Sequence, residues 1–120
     1  MKKLAALRGA TQVENDAGSI LKEVAALYDE MLRANGLAES DLVSLVFSVT
    51  GDITAKNPCA ALRESGRACG LALFTTLEPP FPPNHPRIIR ALLHCYTGET
   101  AAPKHVYRNG AQILRPDISL

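Results

Sequence analysis

The longest periodic segment of the chain begins after Asn15-Asp16, where Ile20, Val24, Leu27, Tyr28 and Met31 recur at helical spacing and Leu21 and Leu32 widen the apolar stripe. Asn15-Asp16 supply N-cap oxygens, Arg33 suits the negative end of the helix dipole, and Gly36 can take a left-handed conformation just beyond it. Together these signals predict an amphipathic helix of about five turns. Ahead of it, residues 4–8 read as a short strand that ends at Gly9. Behind it, residues 42–49 form a nearly unbroken apolar run bounded by Thr50-Gly51-Asp52, the pattern of a central strand covered on both faces. Asn57-Pro58 then opens a short helix, with Asn as cap and Pro at the first helical position, running through Leu62 and Arg63 to Gly66.

Residues 71–75 read as a further strand, residues 79–86 as a proline-rich loop, and residues 87–96 as another strand. A polar stretch over 97–103 leads into the closing segment HVYRNGAQILRPD, residues 105–117, which reads as a turn and a last strand through Gln112-Ile113-Leu114 to Arg115. The expected fold is α/β (α+β): a mixed five-stranded sheet with one long and one short helix. Two helices cannot cover both faces of such a sheet, so one apolar face is expected to be shared between subunits.

Composition narrows the function more than it directs it. With 120 residues, 47% of them apolar and 21% charged, the chain is expected to form one domain over 1–120. A net charge of +1, with basic and acidic residues interspersed, argues against nucleic-acid binding. The opening Met1-Lys2-Lys3-Leu4-Ala5-Ala6-Leu7 resembles the start of a signal peptide, but its apolar run stops at Arg8, and no later run approaches a membrane span. A cytoplasmic location is expected, with no membrane partner. Cys59, Cys69 and Cys95 form an odd set without a C-x-x-C pair, and His85, His94 and His105 lack metal-ligand spacing. No disulfide framework and no metal site are expected.

Local motifs for covalent or cofactor chemistry are missing as well. Ser48, Ser65 and the cysteines lack the glycines of a nucleophile elbow, and there is no glycine-rich phosphate loop. The proline loop holds a P-x-x-P spacing, which reads best as a stiff connector. What stands out is a set of arginines. Arg8 closes a strand, Arg63 sits on the short helix, Arg115 ends the closing segment, and Arg90 interrupts the apolar run Ile88-Ile89-Arg90-Ala91-Leu92-Leu93. Guanidinium groups bind carboxylates through paired hydrogen bonds, so a convergent set suits a small dianion. Taken singly, Arg8, Arg63 and Arg115 fit strand ends and surface pairs, Glu78 a solvated acid and Tyr107 a core edge. Arg90 is different, because a charge in an apolar strand needs a partner.

Leu7-Arg8-Gly9-Ala10-Thr11 with Val13-Glu14, Phe47-Ser48-Val49-Thr50 with Asp52, Pro58 followed by Ala61 and Arg63, Glu78, Pro86-Arg87-Ile88-Ile89-Arg90, and His105-Val106-Tyr107 with Leu114-Arg115-Pro116-Asp117 form an ordered set across nearly the whole chain. This set resembles the monofunctional chorismate mutases of the AroH class, the Bacillus type. The resemblance implies a homotrimeric pseudo α/β barrel with active sites between subunits, and a cofactor-free Claisen rearrangement of chorismate to prephenate in phenylalanine and tyrosine biosynthesis. It further implies that Arg90 donates to the breaking ether oxygen and a carboxylate, that Arg8 and Tyr107 hold a carboxylate, and that Glu78 accepts from the ring hydroxyl. Arg63, Leu73, Phe74 and Thr75 would come from the adjacent subunit, with Thr75 able to bond the same hydroxyl, and Leu114 and Arg115 would complete the wall.

Two positions depart from the family pattern: Asn57 stands where an aromatic residue is common, and Ala60 where some members carry lysine. Together they would make the cleft rim more polar, through Asn57, and less cationic, through Ala60. Two other functions fit a small trimer of this kind: an imine or enamine deaminase of the YjgF/RidA type, and a non-catalytic trimer that binds a small carboxylic acid.

Overall fold

A computed structural model describes residues 2–117. Its elements are β1 (Lys2–Gln12), α1 (Ala17–Ala34), β2 (Leu42–Val49), α2 (Pro58–Glu64), β3 (Ala72–Leu77), β4 (Ile88–Gly98) and β5 (Val106–Arg108). Short 3₁₀ turns lie at Glu39–Asp41 and Ala111–Leu114. The strands form one mixed sheet in the order β3-β2-β4-β1-β5, with β4 antiparallel to β1 and β2, and β3 and β5 parallel to β2 and β1.

The helices form where the sequence signals place them. Asp16 caps α1 by accepting from the Ser19 amide at 2.7 Å, and Ile20, Val24, Leu27, Tyr28 and Met31 are buried along one stripe. Asn57 caps α2 by accepting from the Cys59 amide at 2.8 Å, with Pro58 at the first position. Both helices cover the same face of the sheet, where Leu7, Leu45, Phe47, Ile89, Ala91, Leu93 and Cys95 join them in the main core.

Three expectations are corrected. β1 does not stop at Gly9 but runs on to Gln12. Gly9 is instead a point of close approach, since a Cβ there would lie 2.6 Å from the Met31 sulfur and 3.2 Å from a Leu27 methyl. β2 is an interior strand, but only Leu45 and Phe47 are fully buried, because no helix among the described residues covers its other face. The closing segment holds its strand earlier than expected, at Val106–Arg108, and Gln112-Ile113-Leu114 turn as a 3₁₀ helix. Gly110, at φ +95°, breaks the extended course before that turn.

Alternation along the strands assigns the open face. Cross-strand partners place Phe74, Val46, Leu92 and Arg8 in one row across it, and Thr76, Ser48, Arg90, Ala10 and Tyr107 in the next. Leu4, Phe74, Leu92 and Tyr96 leave this face with large exposed apolar side chains.

Candidate active site

Arg90 is on the open face because its strand neighbours Ile89 and Ala91 point into the main core. Its partner is Glu78, whose amide donates to the Val49 carbonyl at 2.8 Å immediately after β3 ends. That bond carries the carboxylate to the lip of the sheet, where Oε1 accepts from Arg90 Nε at 2.6 Å and from the Ser48 hydroxyl at 3.4 Å. The pair is half-exposed, with 42% of the Arg90 side chain and 22% of Glu78 open to solvent. Because Nε faces Glu78, the two terminal amino groups of the guanidinium are the donors available to a ligand.

Ala10 lies directly between Arg90 and Tyr107 in the cross-strand row. Two strand spacings separate the arginine and tyrosine backbones by roughly 10 Å, and the methyl of Ala10 leaves that interval low. Tyr107 is buried in a small second cluster with Ala10, Ile88 and Ala111, against which Leu114 packs. Arg8 is exposed two residues along β1 from Ala10 and therefore on the same face. Arg115 follows in the closing turn, where it donates to both oxygens of Asp117 at 2.9 and 2.7 Å, and Arg8 adds to the positive field that lowers the Asp117 pKa. The expectation that Arg115 ends a strand gives way to this turn position.

The other group of expected site residues sits on the far edge of the sheet. Arg63 is exposed on the last turn of α2, and Ala60 is half-buried one turn before it. Thr75 donates to Asn57 Oδ1 at 2.9 Å and lies 2.9 Å from the Cys59 sulfur. Asn57 is thus both helix cap and Thr75 acceptor. Leu73 packs against the main core, whereas Phe74 projects from the open face with 64% exposure. Three strands lie between β3 and β5, so one chain does not bring these two groups together.

His105, Ser48 and Ala10 stand in the ordered residue set, but the sequence assigns them no role. The His105 ring accepts the Arg8 amide at Nδ1, 3.0 Å away, and so joins two elements of the site. Its presence in the closing segment was visible, but a bond to a backbone amide 97 positions away leaves no local pattern. A cavity of about 290 Å³ lies beneath the proline loop, between Glu78, Pro80, His85 and Pro86 on one side and Thr50 and Asp52 on the other. Among the described residues, no cluster of His, Cys, Asp and Glu could hold a metal ion, and no helix is long and apolar enough to cross a membrane.

Fold and geometry together define a small α/β protein that carries Arg8 and the Arg90–Glu78 pair on an open sheet face. The chain belongs to the chorismate mutase family: the model for chorismate mutase type I matches residues 4–118. It is 35% identical over 115 residues to chorismate mutase AroH of Thermus thermophilus, covering 93% of each chain. It is 30% identical over 119 residues to chorismate mutase AroH of Bacillus subtilis, covering 95% of this chain and 91% of that one. Among solved structures, a chorismate mutase from Clostridium thermocellum superposes with a TM-score of 0.83 at 38% identity, over 91% of this chain and 98% of the other.

Proposed function

We propose that this chorismate mutase works as a cytoplasmic homotrimer, each chain a single domain over 1–120, with active sites in clefts between neighbouring open sheet faces. The chain is an isomerase that rearranges chorismate to prephenate, a step of phenylalanine and tyrosine biosynthesis. The observation that carries the site assignment is the row Arg90–Ala10–Tyr107, with Glu78 holding Arg90 by Nε and Arg8 close by on the same face. Arg63, Phe74 and Thr75 lie at the opposite edge, which is where a second copy would bring them in.

The rearrangement breaks an ether C–O bond as a C–C bond forms within one molecule, so no nucleophile or cofactor is required. Its barrier falls when the flexible enolpyruvyl arm is held over the ring and when charge growing on the ether oxygen meets a fixed donor. In this reading Arg8 and Tyr107 hold one carboxylate, and Arg90 offers its terminal amino groups to the ether oxygen and a carboxylate. Glu78 has Oε1 committed to Arg90 and Ser48, and its Oε2 accepts from the ring hydroxyl. The same contact keeps Arg90 oriented before substrate arrives, which is the preorganisation that electrostatic stabilisation needs. Arg63, Leu73, Phe74 and Thr75 of the adjacent subunit close the cleft, Asn57 and Ala60 form its rim, and Leu114 with Arg115 lines the wall.

The assay is chorismate consumption by purified protein without added metal or nucleotide, with prephenate identified as product. Loss no faster than the uncatalysed rate would remove the enzymatic reading. Imine hydrolysis without mutase activity would point to the deaminase reading instead.

A further inference from the structure

We propose that His105 is a positioning residue for the carboxylate-binding wall: its neutral imidazole accepts the Arg8 amide and sets the spacing between the strands that carry Arg8 and Tyr107. The inference rests on the reading of Arg8 and Tyr107 as carboxylate ligands. β5 has only three residues, and its parallel register with β1 begins at Gly9 and Val106. The Arg8 amide lies one residue ahead of that first pair and donates to His105 Nδ1 at 3.0 Å. The side chain thereby extends the seam between β1 and β5 by one position, at the residue whose guanidinium belongs to the site.

The bond also assigns the proton. A backbone N–H can only donate, so Nδ1 must present its lone pair and the ring proton sits on Nε2. An imidazolium has N–H on both nitrogens and would set donor against donor. Arg8 from β1 and Arg115 from the closing turn face the ring with positive charge. Glu30 of α1 and Tyr107 and Arg108 of β5 line the same cavity of about 200 Å³ as His105. Burial first, and then Arg8 and Arg115, hold the His105 pKa below its ordinary value, so the neutral ring persists into mildly acidic conditions. Protonation would break the Arg8 bond and add a further positive charge beside two arginines. Since both groups held by this joint bind the ground state as well as the transition state, its loss should raise KM more than it lowers kcat.

The test compares kcat/KM of the wild type, His105→Gln and His105→Phe between about pH 5 and pH 8, because this ratio reports ionisations of the free enzyme. The wild type should show an acid limb below about pH 6.5, the ordinary histidine value. Gln offers a non-titrating acceptor and should keep KM within about threefold at neutral pH while losing that limb. Phe offers no acceptor and should raise KM by about tenfold with a smaller change in kcat. An unchanged acid limb in His105→Gln would overturn the proposal. Independently of turnover, the imidazole nitrogen NMR shifts of the wild type should place the proton on Nε2 at neutral pH. A proton on Nδ1 overturns the proposal even in an active enzyme, while an inactive wild type with the Nε2 tautomer would count against the functional reading and leave the joint supported.

Discussion

Arg90 shows how one side chain can be legible in sequence while its partner is not. Its place inside an apolar run demands a counter-charge, and the structure supplies Glu78 at 2.6 Å. The family resemblance names Glu78 as a site residue but does not pair it with Arg90, because that contact depends on β3 ending near β4 across the intervening β2. Ala10 is equally silent. It matters only as the low position between two residues that other strands contribute. Arg90→Ala should lower kcat/KM by on the order of a hundredfold or more, the usual cost of losing one preorganised donor. Steady-state kinetics would measure it, with light scattering as control that assembly is retained. A change of less than threefold, about 0.7 kcal/mol, would mean the ether oxygen is served by another group.

At the level of elements, the helices were the most readable parts of the chain. Their caps and apolar stripe act within a few residues, so Asp16, Asn57 and the row from Ile20 to Met31 appear in the structure in the roles that spacing assigns them. Strand ends were less readable. Gly9 looks like a terminator in sequence, yet its backbone is extended and buried beneath α1, where the missing Cβ makes room for Met31. Gly9→Ala should therefore destabilise the fold by about 1–3 kcal/mol, the range expected when a packed core must absorb an extra carbon. Denaturant titration would show the loss, and an unchanged midpoint would mean that Met31 moves aside freely. Gln112-Ile113-Leu114 reads as a strand in sequence yet turns as a 3₁₀ helix, because apolar character does not distinguish an extended course from a tight turn. Asn109 (φ +54°) and Gly110 (φ +95°) turn the chain there, and Asn109 ties it to the Gln12 carbonyl at 2.5 Å.

At the scale of the whole molecule, the dominant feature among the described residues is a sheet with both α-helices on one side. Phe74 and Leu92 share an open-face row with Val46 and Arg8, and Leu4 and Tyr96 extend the exposed apolar surface. Exposed apolar area of this kind is characteristic of association surfaces. If the proposed trimer forms through this face, Leu92→Glu, placing a carboxylate in its middle, should shift the protein to monomer, as sedimentation would show. Activity should fall in step with the trimer fraction; full activity in a monomer would refute sites completed between subunits. Stability should also respond to pH. The unfolded chain takes up a proton near the ordinary histidine value, while folded His105 resists it, so the neutral ring's contribution is complete above about pH 6.5. That contribution is lost as pH falls through the lowered folded value. A further loss below about 4.5 is expected from Glu39, whose carboxyl is held down by the Tyr28 hydroxyl and the Ala68 amide. Thermal melts over this range should show both steps, and only the first should vanish in His105→Gln.

The sequence by itself determined the two helices and their caps, the mixture of strands, the need for a partner at Arg90, and the ordered residue set that resembles the chorismate mutases. These follow from interactions between near neighbours or from identities read directly. Tertiary structure alone decided which strands are adjacent, that Glu78 answers Arg90, that Arg90, Ala10 and Tyr107 share a row, and that His105 reaches Arg8. Each of these depends on the register between segments far apart in the chain. A shift of one residue would turn an open-face side chain to the other face, and no local pattern records that choice.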